Sequence, residues 1–189
     1  MKLEVAPGTF LLSVPQMADP NFMHTVVCMC SHDEGGAFGF VVNRKLSVTL
    51  DTLVPDHPVL SQVAFPVYSG GPVGEEMMQF LHRVPDAIAG GFELTDGLHV
   101  GGDLEAMAEY VTTSGEAAGA HARVILGYSG WGEGQLESEL AAGAWIPAPL
   151  QADLVFSPDD SESVWREALR GLGELGEGLS QVPPDISWN

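Results

Sequence analysis

Basic residues are scarce in this sequence. Its 189 residues include 7 Lys and Arg against 26 Asp and Glu, which gives a formal net charge of −19 at pH 7. Proteins bind nucleic acids largely through cationic side chains that displace counterions from phosphates. The few cations here form no stripe, so direct binding to DNA, RNA or anionic membranes is disfavoured. The basic residues are Lys2, Arg44, Lys45, Arg83, Arg123, Arg166 and Arg170.

Cysteines and long apolar runs are also scarce. Cys28 and Cys30 are the only cysteines, which is too few to crosslink a small secreted fold, so we expect a reducing compartment. No apolar run approaches the roughly 20 residues that a membrane-spanning helix needs. The first seven residues lack the apolar core of a secretory signal. These absences predict a cytoplasmic protein without a membrane segment.

Apolar residues are plentiful, at 45% of the chain against 17% charged residues. This composition is typical of a globular protein, and the length fits one domain with a substantial core. No internal repeat or inter-domain linker is visible. Four glycines in the segment 171–178, followed by Pro183-Pro184, favour a tail without fixed structure. We therefore predict one domain over residues 1–173 and a flexible C-terminal tail over residues 174–189.

The first half of the chain is predicted to form strands. Short apolar or β-branched runs are bounded there by glycine, proline and acidic turn residues. The turn at residues 33–36 lies between two such runs, which is typical of a β-hairpin. A short helix is predicted at residues 49–54. The predicted strands are residues 10–14, 25–31, 38–42, 63–68, 77–83 and 92–100, the last interrupted at Asp96-Gly97.

Helices are predicted mainly in the second half. Asp103 is a good N-cap for a helix with apolar residues at helical spacing, and residues 123–128 read as a buried strand. A glycine-rich loop then leads to a helix over residues 135–142, and residues 145–156 are extended. Asp159-Asp160 open the last helix. Its predicted buried face comprises Val164, Trp165, Ala168, Leu169 and Leu172.

The sequence Cys28-Met29-Cys30-Ser31-His32 is a candidate for chemistry. Alternate residues of a strand share a face, so both thiols and the imidazole would line up, and these ligands suit zinc or copper. No second Cys/His cluster supplies a fourth ligand, however. Two small apolar thiols in the core are the favoured interpretation, and we predict no metal or cofactor.

The stretch from Gly127 to Gln135 is glycine-rich and precedes a helix. Such a loop can bind an anion through backbone N–H groups, but it lacks the lysine of a phosphate loop and the spacing of a dinucleotide motif. Trp131 stands where a nucleophile elbow has glycine after Ser129. A tight strand-to-helix turn with Trp131 as a packing anchor is favoured.

For two further features, a glycine-rich turn and a group of glutamates, a purely structural role is the favoured interpretation. Gly70-Gly71-Pro72 predicts a sharp turn whose exposed backbone could serve a ligand or partner. Glu133, Glu137 and Glu139 are interpreted as solvated, because no histidine or further convergent carboxylate completes a site.

Several motifs occur in a fixed order between roughly residues 6 and 172. They are Gly8-x-x-Leu11-Leu12, Cys30-Ser31-His32, Gly36-Ala37-Phe38-Gly39-Phe40-Val41-Val42-Asn43-Arg44, Gly70-Gly71-Pro72-Val73 with Leu81-His82, and Leu126-Gly127-Tyr128-Ser129-Gly130-Trp131 leading to Gly134-Gln135-Leu136-Glu137. Their combination resembles the AlgH/YqgE family of bacterial proteins. Cys30 and His32 fit the family pattern, whereas Cys28 is particular to this chain.

The resemblance implies a single, usually cytoplasmic, mixed α/β domain. With the elements above, we expect a mixed, largely antiparallel sheet or partial barrel flanked by about three to four helices. The resemblance implies little about activity, because the family is largely uncharacterised and its label as a transcriptional regulator of exopolysaccharide synthesis comes from one branch.

The favoured hypothesis for function is a non-enzymatic binding or regulatory module that acts through a small ligand or a protein partner. The alternative is an enzyme or redox protein that uses a low-pKa thiolate of Cys30 with His32, or His82 beside the Gly70-Gly71-Pro72 loop. A minor alternative is a DNA-binding transcriptional regulator. The candidate ligand or partner surface comprises Cys30, His32, Asn43, Gly70, Gly71, Pro72, His82, Gly130, Trp131 and Gln135.

Overall fold

Residues 4–182 are described by a computed structural model. Within this range the chain forms ten strands and six α-helices. The strands are β1 (Thr9–Ser13), β2 (Val26–Asp33), β3 (Gly36–Val41), β4 (Lys45–Thr49), β5 (Pro66–Ser69), β6 (Val73–His82), β7 (Gly91–Thr95), β8 (Leu98–Gly101), β9 (Ala122–Gly132) and β10 (Trp145–Pro149). The helices are α1 (Leu50–Leu53), α2 (Leu104–Ser114), α3 (Gln135–Ala141), α4 (Ala152–Val155), α5 (Ser161–Arg170) and α6 (Glu174–Ser180), with 3₁₀ helices at Leu60–Gln62 and Gly115–Ala120.

The strands form one curled, mainly antiparallel sheet that resembles half of a barrel. Its main path runs β10-β1-β2-β3-β9-β6-β8-β7, and β4 and β5 pair beside it. The pairing of β5 with β9 is parallel, and the other pairings within residues 4–182 are antiparallel. The mixed, largely antiparallel sheet expected from the sequence is confirmed.

Strand β9 joins the two halves of the sheet. Its first half pairs with β5 and β6, while Ser129 to Gly132 pair with β3. Gly127, with φ of +71°, lies where the partners change, a backbone conformation that suits glycine. The strand therefore continues to Gly132, so the predicted glycine-rich loop is wrong over residues 129–132. Pairing with β3 outweighs the low strand propensity of its glycines. The turn into α3 at residues 133–134 and the packing of the buried Trp131 are confirmed.

The N-termini of two helices are capped as the sequence predicts. The side chain of Asp103 accepts a hydrogen bond from the Ala106 N–H at the start of α2. Asp160 accepts from the N–H groups of Glu162 and Ser163 at the start of α5. Helix α5 buries its apolar face against β1 and β2, and the indole of Trp165 in that face donates to the Ser13 carbonyl.

The C-terminal segment differs from the predicted tail. Helix α6 occupies residues 174–180 and packs on α5. The guanidinium of Arg166 donates to the Ser180 carbonyl, and Arg170 lies 4.0 Å from Glu177. These contacts with α5 stabilise a helix in a segment whose glycines predict no regular structure. The remainder of the predicted tail, residues 183–189, lies outside the described residues. None of the helices within residues 4–182 is both long and apolar enough to cross a membrane.

Candidate functional site

The residues singled out from the sequence do not converge on one pocket. Cys30 and Asn43 are buried in the core, and His82 lies at the far end of β6 from the Gly70-Gly71-Pro72 turn. Of the candidate surface, Gly130 and Trp131 alone line a groove between β3, β6 and β9. The predicted ligand or partner residues therefore do not form a single pocket within residues 4–182.

The two cysteines are packed among apolar side chains. Cys28 and Cys30 belong to the cluster that contains Phe10, Leu12 and Phe40, and the Cys30 thiol lies 3.7 Å from the Cys28 carbonyl. Burial raises the pKa of Cys30 to about 12 and that of Cys28 well above its usual value. Thiolates are therefore negligible at neutral pH, which contradicts the basis of the redox hypothesis.

His32 faces away from these thiols. A β-bulge between Met29 and Ser31 shifts the pairing of β2 with β3 by one residue, and such a shift turns the following side chains to the other face. The prediction that His32 shares a face with Cys30 is therefore wrong. Within residues 4–182, no group of three or more His, Cys, Asp or Glu side chains is arranged to hold a metal ion.

Both nitrogens of the His32 ring are engaged. Nδ1 lies 2.9 Å from the Val5 carbonyl, and Nε2 lies 2.7 Å from the Glu137 carboxylate. The hydrogen bond with Val5 and the pair with Glu137 raise the pKa of His32. The ring thus links β2 to α3 and to the N-terminal segment.

The Gly70-Gly71-Pro72 turn packs tightly on β9. The Gly70 carbonyl accepts hydrogen bonds from the Val41 N–H at 2.8 Å and the Ser129 hydroxyl at 3.0 Å. A Cβ at Gly71, whose φ is +144°, would lie 2.4 Å from the Ser129 hydroxyl oxygen. The glycines allow this close crossing of β9, and Ser129 is fully buried.

His82 is fully buried and stacks on His99. The centroids of the two rings are 5.4 Å apart. Burial lowers the pKa of His82, and the nearby His99 lowers it further. Neither ring nitrogen has a hydrogen-bond partner of normal geometry among the described residues. His82 pairs with His99 and Ala122 at the end of β6, whereas Pro72 precedes that strand. The predicted proximity of His82 to the glycine turn is therefore wrong.

Asn43 joins three parts of the chain. Its side-chain amide donates to the carbonyls of His24 and Ser161 at 2.9 and 2.7 Å, and its side-chain oxygen accepts from the Val26 N–H at 2.9 Å. The Ser161 hydroxyl donates to the Asn43 carbonyl. These bonds fix the start of α5 against β2, so the buried Asn43 has no donor left for a ligand.

Trp131 and Gln135 meet at a carboxylate that sequence reasoning missed. Glu139 accepts hydrogen bonds from the indoles of Trp131 and Trp145 at 2.9 and 2.7 Å, and from the Gln135 amide at 2.9 Å. Burial raises the pKa of Glu139, but these hydrogen bonds outweigh it and leave the pKa lowered. The prediction that Glu139 is merely solvated is wrong. The one local sequence feature that indicates this contact is the i, i+4 spacing of Gln135 and Glu139 on a predicted helix.

The larger groove lies between the β2–β3 hairpin, β6, β9 and the β7–β8 hairpin. Its volume is about 850 Å³. Phe38 forms an edge-on contact with Tyr128 at 6.2 Å and with Phe40 at 6.1 Å, so aromatic rings form its floor. The groove lining comprises Ser31, Asp33, Gly35, Gly36, Ala37, Phe38, Phe40, Val73, Met77, Gln79, Phe92, Val100, Gly127, Tyr128, Gly130 and Trp131.

Three large apolar side chains of the groove are exposed. Phe92 is 54% exposed, Met77 47% and Val73 39%. Contiguous exposed apolar surface is typical of a binding site. Asp33 and Tyr128 are the titratable side chains among the lining residues, so the groove offers a mainly apolar surface.

In a comparison with known proteins, residues 10–175 match the model of the family described as AlgH-like. A UPF0301 protein of Chlorobaculum tepidum is 35% identical over 167 residues, which cover 88% of this chain and 87% of the relative. A UPF0301 protein of Cytophaga hutchinsonii is 35% identical over 183 residues, which cover 96% and 98% of the two chains.

Two solved structures share the architecture. The solution structure of the AlgH protein from Pseudomonas aeruginosa has a TM-score of 0.68 and 29% identity, and the match covers 97% of this chain and 98% of that one. The crystal structure of a protein from Corynebacterium diphtheriae has a TM-score of 0.77 at 22% identity over 96% and 95% of the two chains. The latter likeness concerns the fold alone. The chain belongs to the AlgH-like family, whose biochemical function is uncharacterised.

Proposed function

We propose that the chain is a non-enzymatic binding module whose groove takes an apolar segment of a protein partner. The observation that carries the proposal is the concentration of exposed Phe92, Met77 and Val73 around one aromatic-floored groove. Extended strands on both sides of the groove give it a fixed shape, which reduces the entropy that binding would cost. A regulatory role would follow from the partner that is bound.

Charge favours a basic partner. Asp33 lines the groove, Glu75 and Glu76 precede Met77 on β6, and Glu93 follows Phe92 on β7, all of them exposed. With a net charge of −19, the chain attracts a segment that carries Lys or Arg beside its apolar residues, and such complementarity speeds association.

The enzymatic alternative has less support. The cysteine thiols are buried and protonated, and His82 lies away from the glycine turn. A cytoplasmic location is also part of the proposal, because Cys28 and Cys30 are free thiols, as is usual in a reducing compartment.

A pair of matched peptides tests the proposal. A short apolar peptide flanked by lysines should bind the protein at low salt, and the same peptide flanked by glutamates should bind at least about tenfold more weakly, because Asp33 lines the groove and the chain carries a net charge of −19. Phe92→Gln should weaken binding of the lysine peptide about tenfold, as expected for an exposed aromatic anchor. Isothermal titration calorimetry measures both effects.

Leu175→Gln is the matched control, because Leu175 is 72% exposed and lies on α6, outside the groove. It should leave the peptide affinity unchanged. Equal affinity of the two peptides, or equal effects of Phe92→Gln and Leu175→Gln, would contradict the proposal.

A further inference from the structure

Most basic side chains in the described part of the chain already have a partner. Arg83 pairs with Asp153 at 2.7 Å, Arg166 with Glu162 at 2.6 Å and Arg170 with Glu167 at 3.0 Å. Arg44 donates to the carbonyls of residues 20, 21 and 23. Arg123 also donates to carbonyls, and like Lys45 it forms no ion pair within residues 4–182.

Arg123 is a buried cation without a countercharge. The residue is 3% exposed, and its guanidinium donates to the carbonyls of Val42 at 2.6 Å and Ser157 at 2.8 Å. The guanidinium lies 3.8 Å from the centre of the Tyr68 ring. Burial lowers the pKa of Arg123 to about 10, so the group stays charged at neutral pH. Buried charges in proteins are normally paired with an opposite charge.

Lys45 lines the same cavity as this cation. It is the direct cross-strand partner of Tyr68 in the β4–β5 pair, so both side chains point to the same face of the sheet. Lys45, Tyr68 and Arg123 line one cavity of about 680 Å³. Two cations without carboxylate partners thus share a single cavity in a chain whose net charge is −19.

The remaining walls of the cavity are largely apolar. Val63, Phe65, Val111 and Phe156 line it, and Glu116 is the carboxylate among the lining residues. An apolar cavity with a few convergent polar groups is the usual form of a small-molecule site. The cavity shares no lining residue with the groove around Phe92.

We propose that this cavity is a second binding site, for an organic anion that carries a carboxylate or phosphate on an apolar body. The planar guanidinium of Arg123 suits the oxygens of either group, and Lys45 adds a second donor and charge. The apolar body packs against Phe65 and Phe156. The site goes beyond the proposed binding of a protein segment, because it lies elsewhere and takes a ligand of opposite charge.

Octanoate and octyl phosphate are suitable probes, with octanol as the uncharged control of equal chain length. Titration calorimetry on the full chain should show at least about tenfold tighter binding of either anion than of octanol, because a hydrogen bond from a charged donor to an anionic oxygen is stronger than one to a neutral hydroxyl. If octanol binds as tightly as octanoate, the anion site is refuted. A response to one anion alone identifies the headgroup that the cavity prefers and supports the site.

Three substitutions locate the bound anion. Lys45→Gln, at an exposed position, should weaken octanoate binding about tenfold without unfolding the protein. Glu116→Gln should strengthen binding several-fold, because it removes the one carboxylate that lines the cavity. Arg170→Gln is the control for general charge, since Arg170 is already paired with Glu167, and it should change the affinity less than twofold.

Equal effects of Lys45→Gln and Arg170→Gln would overturn the proposal. Phe92→Gln separates this site from the groove. It should weaken the lysine-flanked peptide and leave octanoate affinity unchanged, whereas loss of octanoate binding in Phe92→Gln would assign the anion to the groove and refute the second site.

Discussion

The carboxylate of Glu139 holds two tryptophans from different strands in one orientation. Trp131 on β9 and Trp145 on β10 both donate to the same oxygen, and their rings meet edge-on at 5.8 Å. Because an indole N–H that is buried without an acceptor costs free energy, Glu139 fixes the packing of Trp131, which lines the groove. A residue on α3 thereby supports the groove wall.

Glu139→Ala should reduce the free energy of unfolding by about 2 kcal/mol, because it leaves two indole donors without their charged acceptor. Urea denaturation followed by tryptophan fluorescence measures the loss. Glu133→Ala, at an exposed position just before α3, is the matched control and should stay within about 0.5 kcal/mol of the unchanged protein. Equal stabilities of the two variants would contradict the structural role of Glu139.

Side-chain roles were the part of the site that the sequence predicted least well. The favoured interpretation of the cysteines as core residues is confirmed, because both are buried, as thiols between apolar strand residues normally are. The direction of His32 could not be predicted, since it depends on the bulge between Met29 and Ser31 and thus on the pairing partner. The role of Glu139 could not be predicted either, because its hydrogen-bond donors Trp131 and Trp145 lie on two other elements, β9 and β10.

Among the secondary-structure elements, α5 is attached to the sheet by polar as well as apolar contacts. Its apolar face packs on β1 and β2, and Asn43 bonds to the Ser161 carbonyl at its first turn. Asn43 also satisfies the buried Val26 N–H on β2. One amide thus connects the hairpin region to a helix more than a hundred residues further along the chain.

Asn43→Ala should destabilise the protein by about 3 kcal/mol, because it removes three side-chain hydrogen bonds and leaves the Val26 N–H buried without an acceptor. Thermal and urea unfolding measure this change. Asn21→Ala replaces an exposed asparagine and should have little effect. A similarly small effect of Asn43→Ala would show that the contacts of the apolar face alone position α5.

Local signals explain which elements were predictable. The capped helices α2 and α5 and the β2–β3 hairpin carry caps, apolar periodicity and turn residues within their own sequence. The last part of β9 and helix α6 lack such signals, because their conformation depends on pairing with β3 and packing on α5. The groove lies beyond local prediction for the same reason, since residues from the β2–β3 hairpin to β9 build it.

For the whole molecule, the excess of acidic residues favours a basic partner at the groove, whereas Lys45 and Arg123 favour an anion in their own cavity. Three arginines are held in carboxylate pairs and Arg44 binds carbonyls, which leaves no cationic stripe in the described part of the chain for a phosphate backbone. The exposed apolar groove lies beside acidic residues instead. A basic, partly apolar protein segment matches both features.

Mapping of backbone amide shifts by NMR during titration with the lysine-flanked apolar peptide tests the groove most directly. We predict that the largest shifts fall on β6 near Met77, on the β7–β8 hairpin near Phe92, and on β9 from Tyr128 to Trp131. The shifts should decrease with added salt, because salt screens the attraction between the lysines of the peptide and the acidic protein. Shifts concentrated elsewhere, or no saturable shifts at all, would contradict the assignment of this groove as the binding site.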